Sequence, residues 1–148
     1  MNDYYDTGVL LKLVIQEPES PAVITFVQTR AAPLPLHPLL EYEAKNALRA
    51  KRFRKEITAR ELRESLREMD EYIRLGRFER ITLDLLKALD EAERLSAKIT
   101  PATGCRAIDL LHISIARQLS CQNFVSLDVR QLRAAQAAGF RIVNPCKP

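Results

Sequence analysis

An aspartate sits inside RAIDLLHISIA, residues 106–116, a run that is otherwise almost wholly apolar. Ala107, Ile108, Leu110 and Leu111 surround Asp109, with Ile113 and Ile115 beyond. A helix apolar on every side is a buried one. A carboxylate buried there must meet a donor, a counter-charge, a metal or a proton. Arg106, three residues back, offers an ion pair; a bound cation is the other reading. Three more acids invite the same question. Glu43 shares the helical face of Leu40 and Ala47, whereas Glu41 points away. Its alternative is a place at the edge of that stripe, reaching solvent or an arginine. Asp6 and Asp128 each follow a short apolar segment and precede a helix, where Asp is also a favoured cap. Cap and ligand are compatible, because helix amides can hold one oxygen while the other faces an ion.

Converging carboxylates repel, and some would bind protons near neutral pH unless a cation held them. Oxygen donors without His or Cys select Mg²⁺ or Mn²⁺. Over a basic surface such a site suits phosphodiester hydrolysis, since an ion activates water and offsets charge on phosphoryl oxygens. No Ser/His/Asp or Cys/His arrangement competes with it, and no glycine-rich phosphate loop is present. The net charge is +4, and its distribution says more than its size. Lys45, Arg49, Lys51 and Arg52 crowd one short segment with Arg54 and Lys55, and Arg60, Arg63 and Arg67 follow. The plain reading is a solvated helical face. The sharper one is a footprint for RNA phosphates.

The elements that must position these residues alternate. NDYYD at 2–6 reads as a strand and TGVLLKLVI as a buried helix. Ser20-Pro21 opens a helix to about residue 30, with Ser as its cap and Pro in its first turn. Residues 33–38 form a Pro-punctuated strand, and a helix runs from Leu39 to about Arg54. Thr58-x-x-Glu61 is a capping box starting an amphipathic helix that ends near Gly76. A strand at 78–81, a helix over 83–96 and an irregular segment at Thr100-Pro101 come next. The 106–120 helix, the strand NFVSL, a helix from Asp128 closed by Gly139, and a last strand RIVN complete the chain. Strands alternating with helices predict an α/β fold with a parallel sheet covered on both faces.

At 148 residues, 47% hydrophobic and 28% charged, the chain is a single domain over 1–148 with a core that needs no staples. No apolar run approaches the roughly 18 residues of a membrane span, and no secretory signal is visible. Three cysteines without a CxxC pair point to reduced thiols and a cytoplasmic protein.

YYDTGVLLKL, EYEAKNALR, RAIDLLHISIA and FVSLDVRQLRAAQAAGFRIVNP, in that order, resemble the PIN-domain family. Within it they are most similar to the VapC-type toxins of type II toxin–antitoxin systems. The resemblance implies a three-layer α/β/α sandwich around a parallel sheet of about five strands, order 3-2-1-4-5. It implies a Mg²⁺- or Mn²⁺-dependent endoribonuclease whose acids fall on Asp6, Glu43, Asp109 and Asp128. It also implies an RNA substrate, a cognate antitoxin and a homodimer. A non-catalytic RNA-binding or interaction module, and a PIN nuclease of RNA processing without antitoxin, are the alternatives. Gly8 stands where many relatives carry Ser or Asn, leaving Thr7 as the nearby hydroxyl. Ser126 and Asn46 lie near the acids in sequence and are read as orienting them. His112 and His37 read as structural, and Tyr4, Tyr5 and Tyr42 as packing rather than as a base-stacking platform. The helix from Thr58, with Leu62, Leu66, Met69 and Ile73 on one stripe, offers a partner surface unless it packs on the domain's own core.

Overall fold

The computed structural model describes residues 2–147. Its elements in chain order are β1 (Asp3–Tyr5), α1 (Thr7–Val14), α2 (Ser20–Gln28), β2 (Leu34–Leu36), α3 (Pro38–Phe53) and α4 (Ala59–Arg74). β3 (Phe78–Arg80), α5 (Leu85–Thr103), α6 (Ala107–Gln118), β4 (Asn123–Val125), α7 (Val129–Ala137) and β5 (Arg141–Val143) follow. They divide into two compact units. One joins the first six residues to everything from Leu83 onward, and the other is Thr7–Thr82.

In the first unit the parallel sheet runs β1-β4-β5. Tyr4 pairs with Phe124 and Tyr5 with Val125, so a strand near the start of the chain closes onto one near its end. The reason is apolar burial on both faces. Tyr4 and Phe124 are fully buried, and their rings stack at 5.2 Å. Phe140 meets Phe124 edge-on at 5.9 Å. α6 is buried from Asp109 through Ala116, as an apolar-all-round helix must be. Because the strands are parallel, the carboxyl ends of β1 and β4 lie at one edge of the sheet. Asp6 leaves that edge directly after Tyr5, and Ser126 directly after Val125. Ligands of open α/β sheets bind at such an edge.

The second unit pairs β2 with β3, again in parallel, with Leu34 opposite Phe78 and Leu36 opposite Arg80. α3 starts where His37 caps it, its Nδ1 accepting from the Leu40 amide at 3.2 Å. Its buried stripe is Leu40, Ala44 and Leu48. Glu41 ties the helix to β3, accepting from Arg80 Nη2 at 2.8 Å and Nε at 3.0 Å and from Lys45 at 2.7 Å. The capping box on α4 forms in both directions, Thr58 with Glu61.

Among the described residues the architecture is therefore mixed α/β, with seven helices and parallel strands. The neighbours asked for by order 3-2-1-4-5 are found as β3-β2 and as β1-β4-β5, in two sheets. Two local expectations change. Ser20 is not the cap of α2: Glu19 takes that position, and the buried Ser20 hydroxyl donates to Ile15 O at 2.9 Å and accepts from the Glu17 amide at 3.0 Å. α5 does not stop near residue 96 but runs through Pro101 to Thr103. Its stripe of Ala88, Ala92, Leu95 and Ile99 stays buried to that point. Pro101 lies close to the helix end, where it removes a single amide donor. Gly104, at φ +63°, then closes the helix in the left-handed region.

Candidate functional site

The site grows from the end of β1. The Asp6 amide continues the ladder by donating to Val125 O at 3.2 Å. Its carboxylate is buried, and Oδ2 accepts from Ser126 Oγ at 2.5 Å. Ser126 is itself fully buried, and its Oγ accepts from the Asp128 amide at 2.9 Å. Gln131 Oε1 lies 3.0 Å from the same hydroxyl. One hydroxyl has one proton, and the short contact to a carboxylate takes it. The Gln131 amide, whose two ends exchange by rotation, then presents its NH₂ to Ser126.

Asp128 caps α7. Its Oδ1 accepts from the amides of Arg130 at 2.8 Å and Gln131 at 3.3 Å. Arg106 approaches the other oxygen, with Nη2 3.6 Å from Oδ2. The same guanidinium donates through Nε to Asp109 Oδ2 at 2.9 Å. Asp109 is buried in the first turn of α6 and only 7% exposed. The ion pair foreseen for Asp109 thus exists, and it reaches a second acid. Asp6, Asp128 and Asp109 are linked in series through Ser126 and then Arg106.

Glu43 belongs to the second unit. Its Oε2 accepts from Thr7 Oγ1 at 3.0 Å. Thr7 follows Asp6 in the chain, so the hydroxyl expected beside Asp6 serves Glu43, and Ser126 supplies the one on Asp6.

Among the described residues no three His, Cys, Asp or Glu side chains come together as a ready metal-binding group. The physical reason lies in the charges: Asp109 and Asp128 already share a guanidinium, and Asp128 is turned onto helix amides. The donor set nevertheless fits a hard cation. It is oxygen only, and two of its carboxylates share a positive group. Nearby Cys105 senses the same field, its thiol pushed up to about 11 by burial and then by the charges of Asp109 and Asp128.

The remaining candidates separate. Asn46 is exposed on α3 and holds no acid. Lys45 is committed to Glu41 and Lys51 to Glu17, at 2.7 and 2.5 Å. Arg49 and Arg52 make no ion pair among the described residues. His112 is buried, with its Nδ1 2.6 Å from the Tyr4 hydroxyl. Tyr4 and Tyr5 are core residues, but Tyr42 is 65% exposed and packs on nothing that would bury it. On α4 Met69 is fully buried, while Leu62, Leu66 and Ile73 are half-buried.

Sequence reasoning missed two partners. Gln131 was signalled by Asp128-x-x-Gln131, which has the spacing of a capping box. The reach of Arg106 to Asp128 spans 22 positions of chain and has no local signal.

No protein-family model and no curated protein matches the chain. Solved structures do. FitAcB from Neisseria gonorrhoeae is 14% identical with a TM-score of 0.64, covering 97% of this chain and 97% of that one. VapC20 of Mycobacterium tuberculosis, described as a sarcin-ricin loop cleaving toxin, is 17% identical with a TM-score of 0.63, covering 94% and 96%. FitAB bound to an IR36 DNA fragment is 14% identical with a TM-score of 0.68, covering 99% and 96%. Likeness over nearly the whole of each chain, at such low identity, is a likeness of fold, and it gives this chain the PIN-domain fold that its motifs led us to expect.

Proposed function

We propose that the protein is a metal-dependent endoribonuclease and the toxin of a VapBC-type toxin–antitoxin pair. The observation that carries this reading is the linked series of acids at the carboxyl edge of the sheet. Ser126 fixes Asp6, α7 amides fix Asp128, and Arg106 joins Asp128 to Asp109. The fold shared with VapC20 and FitAB supports it. So does the oxygen-only donor set, which suits Mg²⁺ or Mn²⁺.

In this reading Asp6 and Asp109 would hold the ion, with Asp128 and, as the sequence pattern implies, Glu43 completing its shell. When bound, the ion supplies an activated water and offsets charge on the phosphoryl oxygens. The protein's part is placement and proton movement. Ser126 turns Asp6 by donating a hydrogen bond to its Oδ2. Arg106 balances the charge of Asp109 and Asp128, the two acids it pairs with. Glu43, held by Thr7, is assigned by sequence pattern to accept the proton of the attacking water.

The partners follow from the same reading. RNA is the substrate, and a cognate antitoxin holds the toxin in check. A groove of about 780 Å³ in the second unit combines Ile15, Ile24 and Ile57 with Glu61, Glu64 and Glu68. It would take an antitoxin segment carrying both apolar and basic side chains. Homodimerisation and a cytoplasmic location belong to the proposal as well. No helix among the described residues is long and apolar enough to cross a membrane.

One observation favours a second reading, a non-catalytic RNA-binding module: the guanidinium of Arg106 already satisfies two of the acids. Calorimetric titration with Mn²⁺ and Mg²⁺, paired with a cleavage assay, separates the two. Wild type should bind the ion and cut RNA. Asp6→Asn and Asp109→Asn should lose both while keeping the wild-type circular dichroism spectrum. A wild type that binds neither ion, free or with RNA, or an Asp109→Asn variant that cuts at the wild-type rate, overturns the nuclease.

A further inference from the structure

The outer face of α3 carries an arrangement that neither the acids nor the fold requires. Tyr42 is 65% exposed and Phe53 is 87% exposed. Single exposed aromatics need no explanation; these two share one face of one helix. At about 100° per residue, Tyr42, Asn46, Arg49 and Phe53 fall within a sector of about 60°. Between the two aromatics the stripe holds an amide and a guanidinium, with no aliphatic residue to make an apolar patch. Arg52 flanks it.

The charges around this stripe are already spent. Lys45 and Arg80 pair with Glu41, Lys51 with Glu17, and Arg54 with Glu56. Among the described residues Arg49 and Arg52 pair with no acid, and the Asn46 side chain makes no hydrogen bond. Exposed rings separated by unneutralised cations match the chemistry of a single-stranded nucleic acid. Bases stack on aromatic faces, and guanidinium groups follow the phosphates. A duplex would hide the base faces that Tyr42 and Phe53 require.

We infer that this face of α3 is a stacking platform for single-stranded RNA, with Tyr42 and Phe53 each taking a base and Arg49 and Arg52 holding the phosphates between them. The rings are eleven residues apart on the helix, or roughly 16 Å. Glu43 lies next to Tyr42 in α3, so a strand seated here runs alongside the acid assigned to the proton. The inference rests on the nuclease reading for its choice of RNA, but its test does not depend on catalysis.

The test is fluorescence anisotropy of a labelled 12-nucleotide single-stranded RNA with the full chain, in EDTA so that nothing is cleaved. Tyr42→Ala and Phe53→Ala should each weaken binding roughly 5- to 150-fold, the range that base stacking supports. Tyr42→Trp should restore binding and Tyr42→Leu should not, which separates stacking from general apolar contact. Arg49→Gln should lower the slope of log K against log salt by about 0.7. Three results would overturn the platform. They are a wild type that binds no RNA, alanine variants that bind as wild type does, and alanine variants that change the oligomeric mass alone, which would make the face an interface between copies. None of these bears on whether Asp109→Asn abolishes cleavage, so the nuclease stands or falls separately.

Discussion

Ser126 has one hydroxyl and three polar neighbours in a place that water does not reach. Its oxygen accepts from the Asp128 amide, its proton goes to Asp6, and Gln131 closes the set. Replacing it by Ala removes a donor from a buried carboxylate, a loss of about 1.5–3 kcal/mol. Ser126→Ala should therefore lower the unfolding free energy from urea titration by that amount at pH 7, moving the midpoint down with the slope unchanged. A variant as stable as wild type would show that Asp6 draws its support elsewhere. The acids themselves were legible in sequence, because a carboxylate in an apolar helix or at the end of a strand contradicts its surroundings. What bound them was less so. Arg106 lies three residues from Asp109 and was visible as its partner. Its second hold, on Asp128, comes from tertiary closure that no local pattern encodes. Tyr42 was misjudged for a related reason: an aromatic at helical spacing looks like packing until the face it sits on is known.

At the scale of elements, Glu41 is the clasp between α3 and β3. Arg80 and then Lys45 hold its carboxyl well below the ordinary range, at about 2, against the opposing effect of burial. Because the folded value is depressed, the stability it contributes is present above the unfolded value near 4.5 and is lost as pH falls toward 2. The Arg80 side chain is 58% exposed, so solvent screening keeps the contribution on the order of 1 kcal/mol. Glu41→Gln should cost about that much at pH 7, and the gap between variant and wild type should narrow in melts taken from pH 4 down to pH 2. A gap constant across that range would mean that the clasp is packing rather than charge. The elements were mostly foreseen, since caps such as Thr58–Glu61 and stripes such as Leu40, Ala44 and Leu48 are local signals. The exceptions show where local signals end. Pro101 suggested a break, but burial of Leu95 and Ile99 carried α5 past it. Ser20 looked like a cap, but its hydroxyl found Ile15 O instead.

For the whole molecule, the two compact units interleave in the chain, with Thr7–Thr82 inserted between β1 and the rest of the first unit. The sequence suggested one domain, and we propose that the chain unfolds as one. Near- and far-ultraviolet circular dichroism should then report a single coincident thermal transition. Two resolved transitions would make the insertion a domain of its own. The strand order was harder to foresee than the elements, because parallel pairing joins segments far apart in sequence and depends on faces that only the folded core defines.

That long closure also sets a clock. β1 pairs with β4, and Asp6 meets Ser126 across a separation of 120 residues. At ribosomal speeds of about 5–20 residues per second, the first acid waits roughly 6 to 24 seconds for its partner to be made. A nascent chain therefore carries no assembled acid edge until the segment from β4 to Asp128 has left the ribosome.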